Sequence, residues 1–390
     1  MEAVDISSLA DMRMECACTR VHTVPIKRIH TGSGALDKLA DILKDFKDER
    51  VFLIGDKNTM PLARENVNKM LVNAGCEVTE HVFMCKENLV LDEQLIGSML
   101  VRLPPMTGLI VTIGSGTLND LSRVIATRTN TPWIIIGTAP SMDGYASTVS
   151  PIVMEGTKRS VQLGTPYAIL ADSDLLCTAP DEMLSSGVGD ILGKYVALCD
   201  WQLATRETGE YYCDYIADMI YTAANRCANS IEQVKTRNAA ALADMADTLV
   251  MSGVAISMHG LSRPASGSEH QLAHYWEVAL HGKKTGRNAP LHGNYVALGA
   301  QVACRLYELA SKEFDMNFPY FPPKADWVRQ CMDSLGDYAT IETMGVTREL
   351  FYESFFHATE SNHRYTLIMF LEQKGRLEHY AKLLANEFYE

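Results

Sequence analysis

Apolar and polar positions follow two regimes along this chain. Up to about residue 140, short apolar runs alternate with segments of helical spacing. Residues 36–46 carry an amphipathic helical pattern, residues 51–56 (Val-Phe-Leu-Ile-Gly-Asp) a buried strand ending in an acid, and residues 60–74 a helix. A strand over 78–83, a helix over 89–101, a strand over 109–113, a helical pattern on Leu118, Leu121, Val124 and Ile125, and a strand over 133–136 follow. Continuous apolar strands separated by helices predict a parallel sheet covered on both faces. Residues 148–176 hold three shorter strand-like pieces, at 151–154, 160–163 and 167–170. From Ala179 onward the spacing is helical, broken at 260–267, 282–293 and 318–323. The pattern predicts an α/β domain over residues 1–178 and an all-α domain over 179–390.

Composition narrows the picture. A chain of 390 residues is too long for one ordinary core, which agrees with two domains. A net charge of −13 argues against a nucleic-acid partner, which would require a basic face. No apolar run approaches the ~20 residues of a membrane span. The first residues, Met-Glu-Ala-Val-Asp-Ile, lack the basic and apolar regions of a secretion signal. The ten cysteines, scattered among helical patterns, therefore read as reduced thiols of a cytoplasmic protein. Cys16 and Cys18 are close enough for a metal or redox site but read as incidental thiols. His30, His81 and His379 read as ordinary surface or core residues.

Residues 114–120, Gly-Ser-Gly-Thr-Leu-Asn-Asp, join an apolar strand to a helix through two glycines. Backbone N–H groups at such a helix start lack intrahelical partners, and together with the helix dipole they favour an anion, most often a phosphate. The motif departs from G-x-G-x-x-G because Asn119 stands at the third glycine, and the expected acid precedes it as Asp56. Ligands of open parallel sheets bind at the carboxyl ends of the strands, where Asp56, the 114–120 loop and the 138–147 loop all fall. His270 and His274 lie four apart and share one helix face. His292 and Asp190 each follow a glycine-containing turn at a helix start. Imidazoles and a carboxylate suit Zn²⁺, Ni²⁺ or Fe²⁺, and three protein ligands leave a position open for substrate. Spacing alone permits either helix histidine, or both, as ligands.

Six segments occur in a distinctive order: Gly-Ser-Gly-Thr-Leu-Asn-Asp, Thr-Ala-Pro-Ser-Met-Asp-Gly-Tyr-Ala-Ser, Ala-Asp-Ser-Asp-Leu-Leu, Gly-Val-Gly-Asp, Ser-Gly-Ser-Glu-His-Gln-Leu-Ala-His and Leu-His-Gly. Over residues 51–299 the chain resembles the sn-glycerol-1-phosphate dehydrogenases of the iron-alcohol-dehydrogenase and dehydroquinate-synthase-like group. The resemblance implies a nucleotide-binding domain, a helical domain and a catalytic metal between them. It implies cofactor contacts, NAD(P), at Asp56, Gly114, Gly116, Thr117, Leu118, Asn119, Asp120, Thr138, Ala139, Pro140, Ser141 and Ser147. Asp143 is expected to contact substrate and nicotinamide, Asp190, His270 and His292 to bind the metal, and His274 to contact substrate and relay a proton. The implied substrate is a small phosphorylated three-carbon compound, and Arg263 is the expected clamp for its phosphate.

Pro140 stands where the family usually has alanine. Asn294 stands where it usually has glutamate, which places a change in the metal's surroundings. A homo-oligomer is expected from the resemblance, with the aromatics Phe351, Tyr352, Phe355 and Phe356 as its exposed-looking support. Rival readings are a glycerol-dehydrogenase-like enzyme taking an unphosphorylated polyol, a dehydroquinate-synthase-like lyase, and a non-catalytic nucleotide-binding protein.

Overall fold

Six parallel strands form the centre of the first half of the chain. The computed structural model describes residues 4–84, 89–155, 157–280, 290–360 and 364–390. In chain order the strands are β1 (Arg13–Glu15), β2 (Val21–Thr23), β3 (Arg28–Thr31), β4 (Arg50–Asp56), β5 (Glu77–Phe83), β6 (Leu109–Gly114), β7 (Trp133–Gly137), β8 (Val149–Met154), β9 (Thr157–Gln162) and β10 (Ala168–Ala171). The large sheet has the order β3-β10-β7-β6-β4-β5, and every pairing in it is parallel. The chain runs outward from β4 to β5, then crosses back to β6, β7 and β10. That reversal opens a crevice above the carboxyl ends of β4 and β6. β1 with β2 and β8 with β9 are separate antiparallel pairs.

The expected strands are present, with differences at their margins. Residues 36–46 are not one helix but a succession of short turns: a 3₁₀ turn Ala35–Lys38, an α-turn Leu39–Ile42 and a 3₁₀ turn Leu43–Phe46. Leu36, Leu39 and Ile42 recur every three residues, the period of a 3₁₀ helix, and all three are buried. The helix expected from residue 89 begins at Glu93, because Asp92 caps it by accepting from the Leu95 N–H at 2.8 Å. β3 lies outside the sequence reading; as an edge strand it buries essentially Ile29 alone, so it carries no apolar run.

The second half is built around the helix Asp181–Thr208, which is buried on nearly every side. Its partners include Asp214–Ala228, Ala239–His259, Ser268–Leu280 and His292–Ala310. β10 ends at Ala171 and this helix begins at Asp181. The β1–β2 hairpin does not stay with the large sheet. It lies on Ala239–His259, and residues Ile6 to Ile26 share a core with Ile216 and Val250.

Two expectations need correction. Ala239–His259 is long and apolar enough to cross a membrane, contrary to the reading that no run approaches that length, and most of it is buried inside the protein. Phe351 and Phe355 are not an exposed patch. Both are fully buried, Phe351 against Trp276, Phe388 and Tyr389, while Tyr352 and Phe356 are half-buried. Aromatic side chains at helical spacing went to the core, where their large apolar area is most stabilising.

Candidate active site

The crevice above β4 and β6 continues into a single cleft of about 820 Å³ that reaches the helical half. At one end lie Asp56, Lys57 and Thr59; in the middle Ser115 to Leu118, Thr138, Ala139 and Ser141; at the far end Asp143, His270, His274 and His292. β6 turns into the helix Gly116–Thr129 at Gly116, whose φ is +41°. A Cβ built there would meet no atom within 4 Å, so the backbone at the helix start faces open space. This geometry offers N–H donors and a dipole to a phosphate.

Not every expected cofactor residue reaches the cleft surface. Gly114 faces Leu118, whose Cδ1 would lie 2.5 Å from an added Cβ. Asn119 is fully buried and donates to the Gly144 carbonyl at 3.2 Å. Pro140 is buried with its carbonyl against Gly187, where a Cβ would come within 1.8 Å of the oxygen. Asp120 and Ser147 line the cleft, but each is also tied locally. Ser147 bonds Val149. Asp120 accepts from Arg123 at 2.6 Å and from Ser150 at 3.0 Å. Burial pushes the Asp120 carboxyl up, opposed by the Arg123 guanidinium. Arg123, which sequence reasoning passed over, also donates to the carbonyls of Gly144 and Val149 and so holds the loop that presents Asp143.

Asp56 accepts the N–H groups of Asn58 and Thr59 at 2.7 and 2.8 Å, closing the turn after β4 and keeping its carboxylate at the cleft. In the helical half, glycines bring together the backbones that carry Asp190 and His292. Ser186 O would lie 1.8 Å from a Cβ on Gly293, and Gly293 O 2.2 Å from one on Gly189. The helices Asp181–Thr208 and His292–Ala310 therefore touch backbone to backbone beside Asp190.

Asp190 is fully buried. One oxygen accepts from Lys194 Nζ at 2.6 Å and lies 3.7 Å from His270 Nε2; the other accepts the Asp143 backbone N–H at 3.0 Å. Lys194, four residues on along the same helix face, also donates to Asp143 Oδ2 at 2.7 Å and to the Ala265 carbonyl at 3.1 Å. Ser252 donates to the same Asp143 oxygen at 2.8 Å. The rings of His270, His274 and His292 form a triangle with centroids 5.8, 5.4 and 5.4 Å apart. His270 Nδ1 pairs with Glu269 Oε1 at 2.7 Å, and His292 Nδ1 with Glu277 Oε1 at 2.8 Å. Glu269 Oε1 also accepts the Gly267 N–H at 2.8 Å, which makes it the acceptor and leaves the lone pair of His270 on Nε2.

Electrostatics follow from these contacts. Burial alone would raise the Asp190 carboxyl, but Lys194 and the imidazoles of His270 and His292 outweigh it and hold it at about 2. Burial would lower the Lys194 ammonium; Asp143 and Asp190 reverse that and raise it. Burial and Lys194 together push His270 down to about 3, so its imidazole is neutral. Burial pushes Glu269 up to about 7. A neutral imidazole and an ionised carboxylate are the forms that bind a metal.

The structure commits two further residues elsewhere. Arg263, the expected phosphate clamp, is buried away from the cleft lining. It pairs with Glu210 at 2.9 Å and donates to the Tyr365 carbonyl at 2.6 Å, so its guanidinium is held within the fold. Asn294 accepts from Ser185 Oγ at 3.0 Å, and the carboxylates paired with the His270 and His292 imidazoles are Glu269 and Glu277. Lys194, Glu269 and Glu277 were missed by sequence reasoning. Their signal was present as spacing: Lys194 is four residues after Asp190, and Glu277 three after His274.

A glycerol-1-phosphate dehydrogenase of Halalkalibacterium halodurans is 32% identical over 297 residues, covering 75% of this chain and 74% of its own length. One from Bacillus subtilis is 30% identical over 375 residues, covering 91% and 94%. The chain belongs to the glycerol-1-phosphate dehydrogenase family. The wider iron-containing alcohol dehydrogenase family pattern matches residues 30–180, the part that carries the sheet. Among solved structures, a glycerol dehydrogenase from Schizosaccharomyces pombe superposes with a TM-score of 0.66 at 20% identity, covering 92% of this chain and 90% of its own. An iron-containing alcohol dehydrogenase from Thermococcus thioreducens gives 0.66 at 16% identity, covering 93% and 98%. Both share the fold of this family member, a parallel α/β half followed by a helical half.

Proposed function

We propose that this chain is a metal-dependent, NAD(P)-linked oxidoreductase that interconverts dihydroxyacetone phosphate and sn-glycerol 1-phosphate. The observation that carries the reading is the continuity of one cleft, from the acid after β4, past an open helix start, to three clustered imidazoles and a buried carboxylate. A dinucleotide spans such a distance, with its pyrophosphate at Gly116 to Leu118 and its ribose at Asp56. The family's named members act with NAD(P)⁺ and glycerol 1-phosphate, which supports the substrate.

The chemistry of one carboxylate and several imidazoles suits a divalent ion, although the donor atoms that lie within 4.8 Å of one another in the cleft are those of His274, Glu277 and His292. Asp190, His270 and His292 would hold it, Zn²⁺ first and Ni²⁺ or Fe²⁺ next, and Asp143 with Asp190 outnumber the single ammonium of Lys194. When bound, the metal supplies a Lewis acid for the substrate oxygens and the nicotinamide supplies the hydride. The chain's own residues do the rest. Glu269 and Glu277 fix the tautomers of His270 and His292. Lys194 and Ser252 orient the Asp143 carboxylate at the cleft wall. A ring nitrogen of His274 gives a proton to the reduced oxygen and takes it back in the reverse direction. Ser262 and Ser266 line the cleft, and Arg364 donates to their carbonyls at 3.4 and 2.8 Å, bringing positive charge behind them. They replace Arg263 as the seat for the substrate phosphate.

The test is turnover of dihydroxyacetone phosphate, dihydroxyacetone and glycerol with NADH and NADPH (or their oxidised forms), with added Zn²⁺ or Ni²⁺ and after chelation. Strong preference for the phosphorylated ketone, lost on chelation, is expected. Equal or faster turnover of the unphosphorylated compounds would replace this reading with the polyol one. A cytoplasmic homo-oligomer belongs to the same reading and rests on the family likeness and on the nine free thiols among the described residues; a monomeric mass in solution at micromolar concentration would remove the oligomer.

A further inference from the structure

A second group of soft ligands lies outside the cleft. Cys16 and Cys18 sit at the tip of the β1–β2 hairpin, His22 lies within β2, and Cys213 caps the helix Asp214–Ala228 about two hundred residues away. The three sulfurs and one imidazole nitrogen all lie within 4.8 Å of one another. Cys16 Sγ is 3.7 Å from Cys213 Sγ, and His22 Nε2 is 3.3 Å from Cys18 Sγ and 3.4 Å from Cys213 Sγ. A tetrahedral zinc with Zn–S of ~2.3 Å and Zn–N of ~2.0–2.1 Å requires S···S of ~3.8 Å and S···N of ~3.6 Å. Three of the six edges therefore match a zinc polyhedron to within a few tenths of an ångström, and the other three lie within 4.8 Å.

The surroundings are arranged for ligation. His22 Nδ1 donates to the Met258 carbonyl at 3.0 Å, which leaves the lone pair on Nε2, the nitrogen that faces the thiols. The hairpin tip is a tight turn: Thr19 N–H bonds Cys16 O at 2.9 Å, Cys16 N–H bonds Arg20 O at 3.1 Å, and Thr19 has a φ of +70°. That turn points Cys16 and Cys18 at one spot. The Tyr211 hydroxyl lies 3.1 Å from Cys18 Sγ, where it can donate to a thiolate from outside the ligand set. His22 and Cys213 are buried, while Cys16 and Cys18 are half-buried, so an ion has a path in. None of the four residues lines the catalytic cleft.

We infer that Cys16, Cys18, His22 and Cys213 form a structural site for a thiophilic divalent ion, with Zn²⁺ as the fitting one. Three thiolates and an imidazole select zinc over hard cations, and four protein ligands close the coordination shell, so the site has no position for substrate. Each thiol releases its proton as the ion enters, and no electron transfer is involved. The ion clamps the N-terminal hairpin to the start of Asp214–Ala228, and the His22 bond to the Met258 carbonyl ties the same hairpin to the end of Ala239–His259. The site is independent of the proposed activity.

The test is zinc content of the purified full-length protein by elemental analysis, in wild type, His270→Ala, Cys213→Ser and Cys18→Ser. One zinc per chain that survives His270→Ala and is lost in both cysteine variants is expected. Cobalt substitution adds a second readout that tolerates poor yield. The thiolate-to-cobalt charge-transfer band should appear in wild type and in His270→Ala, and fade in Cys18→Ser, a change at the half-buried hairpin tip. A zinc count that falls to zero in His270→Ala, or a cobalt form without the charge-transfer band, overturns the site. So does free reaction of all three thiols with a thiol reagent in zinc-replete protein.

Discussion

The two ends of the cleft are made of different material. At the sheet end the ligand would meet mostly backbone: Gly116 with a positive φ, open space where a Cβ would stand, and the first N–H groups of a helix. At the helical end it would meet side chains drawn from three helices and a loop, and Asp143, Asp190, His270 and His292 are each held by a second side chain. Glycine serves both ends for opposite reasons. Gly116 keeps room for a ligand, whereas Gly187, Gly189 and Gly293 leave no room, because another backbone already fills it. A backbone site can be written in seven consecutive residues, while a side-chain site requires the whole fold to assemble it.

The largest expected effect is on the side-chain end. Chelation, or His270→Ala, should remove the catalytic metal and reduce turnover to background while leaving far-ultraviolet dichroism unchanged; full turnover in metal-free protein would refute the assignment. His274→Ala should retain that metal and lose rate by roughly 10²–10⁴-fold, the usual contribution of a positioned acid–base group. Metal analysis of the two variants side by side separates ligand from relay, and a reversed pattern would exchange their roles.

Lys194→Met tests the charge balance behind Asp190. Asp143 and Asp190 would share a buried place with no cation, at a cost of about 3–5 kcal/mol in the metal-free protein. Added metal should recover much of that stability, so denaturant midpoints with and without Zn²⁺ should diverge far more than in wild type. Equal losses in both states would mean that Lys194 acts only by packing.

The glycines give a smaller and sharper contrast. Gly293→Ala places a Cβ 1.8 Å from the Ser186 carbonyl and should lower stability by ~1–3 kcal/mol or more, together with metal retention. Gly116→Ala meets nothing and strains only its backbone, by ~1 kcal/mol. Its loss should fall on cofactor KM instead. Thermal midpoints and cofactor titrations of both variants would show it, and matching profiles would dissolve the contrast. The smallest effect is at Asp56→Ala. A carboxylate there accepts from a ribose 2′-hydroxyl and repels a 2′-phosphate, so the ratio of NADPH to NADH use should rise. The adjacent Lys57 limits the change, and a wild-type preference for NADPH would discard the inference.

The same difference in material explains what the sequence reading reached. β4, β6 and β7 are buried on both faces, so each appears as an unbroken apolar run, and the loop after β6 carries its chemistry in order. β3 buries one residue at a sheet edge and leaves no such run. In the helical half, spacing and glycine turns nominated Asp190, His270, His274 and His292, and the family resemblance chose Asp190, His270 and His292 among them. Lys194, Glu269 and Arg123 escaped because a buried charge in the sequence looks like a surface charge until its partner is placed beside it. Arg263 failed in the reverse direction, since proximity to His270 along the chain says nothing about Glu210 in space. Phe351 and Phe355 misled as interface candidates because helical spacing of aromatics does not distinguish an outer face from an inner one.

Backbone contact at Gly189 and Gly293 has a consequence for how this lineage could exchange the proposed ion. Two helices that already touch cannot slide closer, and any side chain larger than hydrogen at the contact pushes them apart. The span between Asp190 and His292 is thus a fixed gauge, with no adjustable spacer between the parts that define it. Replacing one ion by another of different radius or preferred geometry must proceed by changing the donor atoms themselves, or the carboxylates that tune them. Descendants of this fold should accordingly differ in which residues bind and almost never in how far apart their anchor points stand.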